Sequence, residues 1–126
     1  MVPQELIEDL NAIGYPYDLI DDGQRIFIIF KEYPLPPGIY NVEKTELMIY
    51  TTPYYPSSGF DMFWVEVQLT LKNGTIPKAG DAIEDYVGKK WRRFSYHPYQ
   101  GKPWDPSNDS VITYVEYINK RLQNGD

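Results

Sequence analysis

The sequence contains no cysteine. That absence excludes thiolate nucleophiles, disulfide staples and cysteine-bound zinc, each of which needs a sulfur atom. Histidine is nearly as scarce, since His97 is the single imidazole among 126 residues. A metal site would rest on carboxylates, and none is expected. The glycines are isolated and never read Gly-x-Gly-x-x-Gly or Gly-x-x-x-x-Gly-Lys. A loop that cradles phosphate is therefore not expected, and neither is a cofactor. Long apolar runs are missing as well. The longest, Ile26 to Phe30, is far shorter than the roughly 20 residues that span a bilayer. Near the N-terminus stand Glu5, Glu8 and Asp9 rather than the basic region and apolar stretch of a secretory leader. The expected compartment is the cytoplasm, with no membrane partner.

Positive charge is also in deficit, with 12 Lys and Arg against 18 Asp and Glu, a net charge of −6. Such a surface repels phosphate backbones, and a nucleic-acid partner is not expected. Lys89-Lys90 with Arg92-Arg93 forms the one basic cluster, and its simplest reading is a solvated loop.

What the chain does contain is aromatic side chains: twelve Tyr, five Phe and three Trp. Aromatics favour strands and bring large buried areas, so a sheet with a thick core is expected. With 42% hydrophobic and 24% charged residues the composition is that of a folded globule, and the length suits a single domain over 1–126.

Taken in order, Leu6, Leu10 and Ile13 make an apolar stripe at helical spacing, which predicts a helix from Pro3 to Ile13 stopped at Gly14. Tyr17–Ile20 and Arg25–Lys31 flank Asp21-Asp22-Gly23, a hairpin signal. Ile26 to Phe30 is apolar on both faces and should lie inside a sheet. Tyr33 to Gly38 carries three prolines without amide donors, so it reads as a loop. Further strands are expected at about Glu46–Thr51 and Met62–Leu69, with Asn73-Gly74 turning the chain. Ile76 to Gly101 is weakly patterned, with at most one helical turn at Ala82–Val87, and reads as a long loop. A last helix then starts at Asp105-Pro106, with Asn108 or Asp109 as cap. Val111, Val115, Ile118 and Leu122 form its stripe to Leu122. The expected fold class is α+β, a four-stranded antiparallel meander flanked by the Pro3–Ile13 and Val111–Leu122 helices. Trp64, Phe63 or both, with Ile28, Val115 and Ile118, should belong to the main core.

For chemistry, His97 is the only candidate general base. Its plainer reading is a loop residue packed between Trp91 and Trp104, with one ring nitrogen bonded to backbone. Ser95 shares its face at a spacing that chance supplies often, and no Gly-x-Ser-x-Gly elbow is present. Tyr33, Tyr40, Tyr50, Tyr54 and Tyr55 crowd around Pro34, Pro36, Pro37, Pro53 and Pro56. Such side chains serve equally as core at a sheet end and as a protein-contact surface.

Several stretches together carry a resemblance: Leu35-Pro36-Pro37-Gly38-Ile39-Tyr40, Tyr54-Tyr55-Pro56, Asp61-Met62-Phe63-Trp64-Val65, Gly88 to His97, and Trp104-Asp105-Pro106. In their order the chain resembles the prokaryotic ubiquitin-conjugating-like proteins of family E, within the E2 or UBC superfamily. Trp104-Asp105-Pro106 is similar to the Trp-Ser-Pro that leads into a helix of ordinary conjugating enzymes. Gly74-Thr75-Ile76 is similar to the Gly-x-Ile that precedes their thioester cysteine, and Pro77 stands where that cysteine would be. The usual His-Pro-Asn upstream is absent, with Val67-Gln68-Leu69 in that region. The resemblance thus implies a UBC-like fold whose thioester chemistry is lost, as in cysteine-less variants of the superfamily. It implies an adaptor for a ubiquitin-like protein or its activating enzyme, in a bacterial setting that also includes a JAB-type peptidase. Tyr54, Tyr55 and Pro56, with Lys89, Lys90, Arg92 and Arg93 for charge, are the expected partner contacts. The alternatives are an enzyme using the Trp91–Trp104 loop with His97 as base, and a structural self-associating domain. Oligomeric state is not legible.

Overall fold

The computed structural model describes residues 1–126 as two helices and six strands. In chain order these are α1 (Gln4–Ile13), β1 (Tyr17–Asp21), β2 (Ile26–Pro34), β3 (Lys44–Thr51), β4 (Phe63–Val65), β5 (Ala82–Tyr86), β6 (Lys89–Phe94) and α2 (Val111–Gln123). The strands form one antiparallel sheet in the order β1-β2-β3-β4-β6-β5. The α+β class and the antiparallel meander of the first four strands agree with the expectation from sequence, and the strand count is corrected from four to six.

The two added strands come from the segment expected to be a loop with a helical turn. β5 and β6 pair from Ala82↔Arg93 to Tyr86↔Lys89, joined at Val87-Gly88. Both turn residues have positive φ, 46° at Val87 and 80° at Gly88. A two-residue hairpin turn of that kind normally announces itself as Asn-Gly or Asp-Gly, and a β-branched residue there is an outlier. The turn carried no legible signal, and Lys89 and Lys90 masked the strand behind it.

Other boundaries also shift. β4 is only three residues long, because the Glu66 carboxylate takes the place of ladder partners. It accepts from the Glu46 amide at 3.0 Å and the Thr45 hydroxyl at 3.3 Å, and the chain turns away. β2 runs past a bulge between Phe30 and Tyr33 as far as Pro34, opposite Lys44. A proline at a strand's last position loses no needed donor, so the expectation that Tyr33 and Pro34 stay outside the ladder is corrected. Pro3 is the residue before α1 rather than in its first turn, and its carbonyl accepts from Leu6 and Ile7. Gly14 stops that helix in the left-handed region at φ 86°. Ser110 caps α2 in a reciprocal box with Thr113, in place of Asn108 or Asp109. The Asp105 carboxylate instead accepts from Ser107 and Asn108, closing a separate turn before the helix.

Alternation along the strands sorts side chains onto two faces. Ile26, Ile28 and Phe30 of β2, Leu47 and Ile49 of β3, Phe63 and Val65 of β4 and Phe94 of β6 face the helices. There they join Leu6 and Leu10 of α1 and Val111, Tyr114, Val115, Ile118 and Leu122 of α2 in the main core. No helix covers the opposite face. Phe27, Ile29, Met48, Trp64 and Trp91 form a second cluster there, so Trp64 lies in the core but on this smaller side. Charged side chains roof it. The Arg25 guanidinium lies 5.0 Å from the Phe27 ring centre, and the Lys89 ammonium 4.3 Å from that of Trp91. Glu84 accepts from the Trp64 indole at 2.8 Å and pairs with Arg93 at 2.8 Å. Lys89 and Lys31 both reach Glu46, and the bond from Lys89 is the chief reason its carboxyl is held below the ordinary range.

Candidate functional site

At the Thr51 end of the sheet the chain leaves β3 through the Thr52–Met62 loop and leaves β6 through the Ser95–Trp104 loop. Between these loops lies a cleft of about 610 Å³, whose lining includes Phe60, Asp61, Met62, His97, Tyr99 and Trp104. His97 Nδ1 stands 2.8 and 2.9 Å from the two carboxylate oxygens of Asp61. A carboxylate only accepts, so Nδ1 carries a proton and donates, and in the neutral form of the ring Nε2 is then an acceptor. Both side chains are open to solvent, His97 at 44% and Asp61 at 56%.

The loops that place this pair are tied down. The Tyr55 hydroxyl donates to Asp9 of α1 at 2.8 Å and accepts from the Val111 amide of α2 at 2.9 Å, pinning the first loop to both helices. The Trp104 indole donates to the Pro56 carbonyl at 2.8 Å, joining the two loops. Met62, next to Asp61, has φ 62°, a conformation costly for a residue with a side chain. Its amide donates to Tyr96 O at 2.9 Å, and its carbonyl accepts from the Tyr114 hydroxyl at 2.5 Å. Burial raises the Tyr114 phenol well above its ordinary range and pushes that of Tyr99 up to about 12. Both phenols remain protonated at neutral pH, and the buried Tyr99 hydroxyl has no hydrogen-bond partner within the chain.

Gly59 packs against the Trp104 ring so closely that an added Cβ would stand 2.4 Å from it. Gly59→Ala is expected to displace the indole and cost about 1–3 kcal/mol by overpacking. A lowered urea midpoint together with a shifted Trp104 indole NMR resonance would show it. An unchanged indole resonance would contradict this account of the cleft.

The structure corrects the reading of His97 as a residue packed between Trp91 and Trp104 and bonded to backbone. Trp91 lies on the other face of the sheet, its indole on the Tyr86 carbonyl at 3.0 Å, while His97 pairs with a carboxylate. Asp61 escaped the sequence reading because nothing local marks a partner 36 positions away. Ser95 is not a partner of His97, since its hydroxyl accepts from Arg93 Nε at 3.1 Å. No group of three or more His, Cys, Asp or Glu is arranged to hold a metal ion.

The partner contacts expected from sequence fall in three places. Tyr54 is 79% exposed on the loop beside the cleft, with Pro56 half-buried below it, whereas Tyr55 is 4% exposed and serves as the anchor just described. Arg92 is 8% exposed: it donates to Val67 O through Nε at 3.2 Å and Nη2 at 2.7 Å, and to Gly80 O through Nη1 at 2.7 Å. Tyr55 and Arg92 are therefore interior, and the solvated-loop reading of the basic cluster is corrected to a strand. Arg93 is tied to Glu84, while Lys89 and Lys90 are exposed beside the β5–β6 turn. Lys89 meets Glu46, roughly 17 Å along β3 from Thr51, where the Tyr54 loop begins. Tyr54 and the lysines therefore do not form one patch. Pro77 is buried in a tight turn closed by Gly80 N–H to Pro77 O at 2.9 Å. Lys78 next to it is held at the end of α2, its carbonyl accepting from Arg121 at 2.7 Å.

An antiparallel sheet with helices on one face, entered by α1 and closed by α2, with proline-rich loops at one end, is compatible with a UBC-like architecture. A family profile described as Prokaryotic E2 family E matches residues 2–125. The chain belongs to that family. No curated protein and no solved structure matches it. No helix is long and apolar enough to cross a membrane.

Proposed function

We propose that this chain is a non-catalytic E2-like adaptor of a bacterial ubiquitin-like conjugation system, binding the ubiquitin-like protein or its activating enzyme. One observation carries the reading. The position expected to hold the thioester cysteine is Pro77, buried in a turn, in a chain without any thiol. A scaffold of this family that keeps its core and loops but has no sulfur nucleophile retains recognition as its role. Tyr54 supports a docking point at the cleft end of the sheet, since an exposed tyrosine on an anchored loop loses little entropy on binding. The exposed Lys89 and Lys90 then act at a distance, steering an acidic partner. A JAB-type peptidase is a further partner that the family setting supports.

The test is incubation with the activating enzyme, ATP and the modifier, followed by non-reducing electrophoresis. No reductant-sensitive adduct should form on this chain, while immobilised protein should retain the modifier or the activating enzyme. Tyr54→Ala is expected to weaken that retention about tenfold, a loss of about 1.4 kcal/mol at an interface anchor. A thioester-like adduct, or retention of neither protein, would overturn the proposal.

A second reading has the Asp61–His97 pair in its favour. Nδ1 held by a carboxylate fixes the tautomer of a general base, with Nε2 free to take a proton. Loss of a catalytic activity in His97→Ala with unchanged partner binding would select this reading over the first.

A further inference from the structure

The cleft beside Tyr54 offers a ligand an unusual set of groups. Among its lining residues are Asp61, His97, Gln100 and aromatic rings, and no lysine or arginine. Asp61 is the one carboxylate in the molecule whose ion-pair partner is a histidine rather than a lysine, an arginine or the N-terminus. With Nδ1 donating to Asp61 and the ring neutral, the pair turns only acceptors outward: the remaining lone pairs of the carboxylate and Nε2 of the ring. Gln100 stands on the exposed rim, where its carboxamide can accept as well as donate.

A ligand complementary to the Asp61–His97 pair carries donors and a positive charge at the end of an apolar stem. An anion is excluded by the Asp61 charge and by the net −6 of the chain. A primary ammonium has three donors and no acceptor. Its alkyl stem suits walls formed by Phe60, Met62, Tyr99 and Trp104, and the aromatic faces attract the cation. Because Asp61 and His97 are themselves about half exposed, a side chain projecting from another macromolecule reaches them without any movement of the fold. The tied loops and the Gly59–Trp104 contact mean that the cleft is formed before anything enters it.

We propose that this cleft is a receptor for a lysine side chain of a partner protein, with Asp61 and His97 accepting its ammonium and the aromatic walls taking its stem. The inference stands on the cleft and not on the adaptor reading. An empty pull-down with intact lysine binding would sink that reading alone, and retained partner with no lysine binding would sink this one alone.

The test is NMR titration of the ¹⁵N-labelled chain at pH 8 with the capped tripeptide acetyl-Gly-Lys-Gly-amide. The same peptide with norleucine, the same peptide with Nε-acetyl-lysine, and free 1,5-diaminopentane serve as comparisons. Saturable shifts at Asp61, His97, Gln100 and the Trp104 indole are expected with the lysine peptide, and shifts weaker by about tenfold or more with the two uncharged peptides. Asp61→Asn should weaken the lysine peptide by a similar factor while leaving the rest of the spectrum dispersed. Equal binding of the norleucine peptide would show a merely apolar groove and overturn the assignment. So would an absence of shifts, or saturation by the free diamine alone. The peptide comparison uses the parent protein, so it decides the matter even if the Asp61 variant fails to fold.

Discussion

Ile118→Ala is expected to lower the unfolding free energy by about 2–5 kcal/mol, the largest effect of any single truncation considered. Ile118 is completely buried on the apolar stripe of α2, within the cluster that also contains Leu6 and Leu10 of α1 and the inner face of the sheet. Removing its three outer carbons leaves a cavity lined by elements that are each held elsewhere. α2 is capped at Ser110 and tied through Tyr114 to Met62, just before β4, and α1 is tied to the loop through Asp9 and Tyr55. Collapse into the space is therefore restricted, which places the cost toward the upper part of the range. Urea denaturation followed by circular dichroism measures it, with Glu116→Ala on the exposed side of the same helix expected to stay within about 0.5 kcal/mol of the parent. Equal midpoints for the two variants would mean that the helix does not pack as described.

Arg92→Leu should cost about 2–5 kcal/mol by a different mechanism. Its guanidinium has no carboxylate partner and instead satisfies the carbonyls of Val67 and Gly80. Leucine removes those donors without removing the acceptors, and each stranded buried carbonyl costs about 1–3 kcal/mol. The two carbonyls belong to the segment between β4 and β5, so Arg92 fastens that excursion to β6. Hydrogen exchange should accelerate between residues 67 and 80 as well as the midpoint falling. Lys90→Leu, at a side chain paired only with the exposed Asp85, should leave both measurements nearly unchanged. A matching loss in the Lys90 variant would show that charge at this strand, not the carbonyl bonds, sets stability.

Much of the architecture was legible because it depends on local periodicity. The stripes of Leu6 and Leu10 and of Val111 to Leu122 mark helix faces at a spacing that no strand produces. Asp21-Asp22-Gly23 announces the β1–β2 turn, and the Asp21 and Asp22 carboxylates accept from the Gly23, Gln24 and Arg25 amides just as turn chemistry requires. The β5–β6 hairpin was not legible, because its turn places Val87 where asparagine or glycine is customary. The extent of β4 was misread because the pattern after Val65 stays half apolar while a side chain, Glu66, takes over the hydrogen bonding.

The sequence by itself determined that no cysteine thioester can form on this chain and where its apolar faces lie. A chain without a thiol carries no thioester, whatever its fold, and amphipathic spacing commits each helix to one buried side. Only the tertiary structure decided that Tyr54 is free while Tyr55 is locked to both helices, that Arg92 is interior while Lys90 is not, and that Asp61 meets His97. Identical residue types in adjacent positions share one propensity. Their burial and partners come from segments distant along the chain, which sequence spacing does not encode.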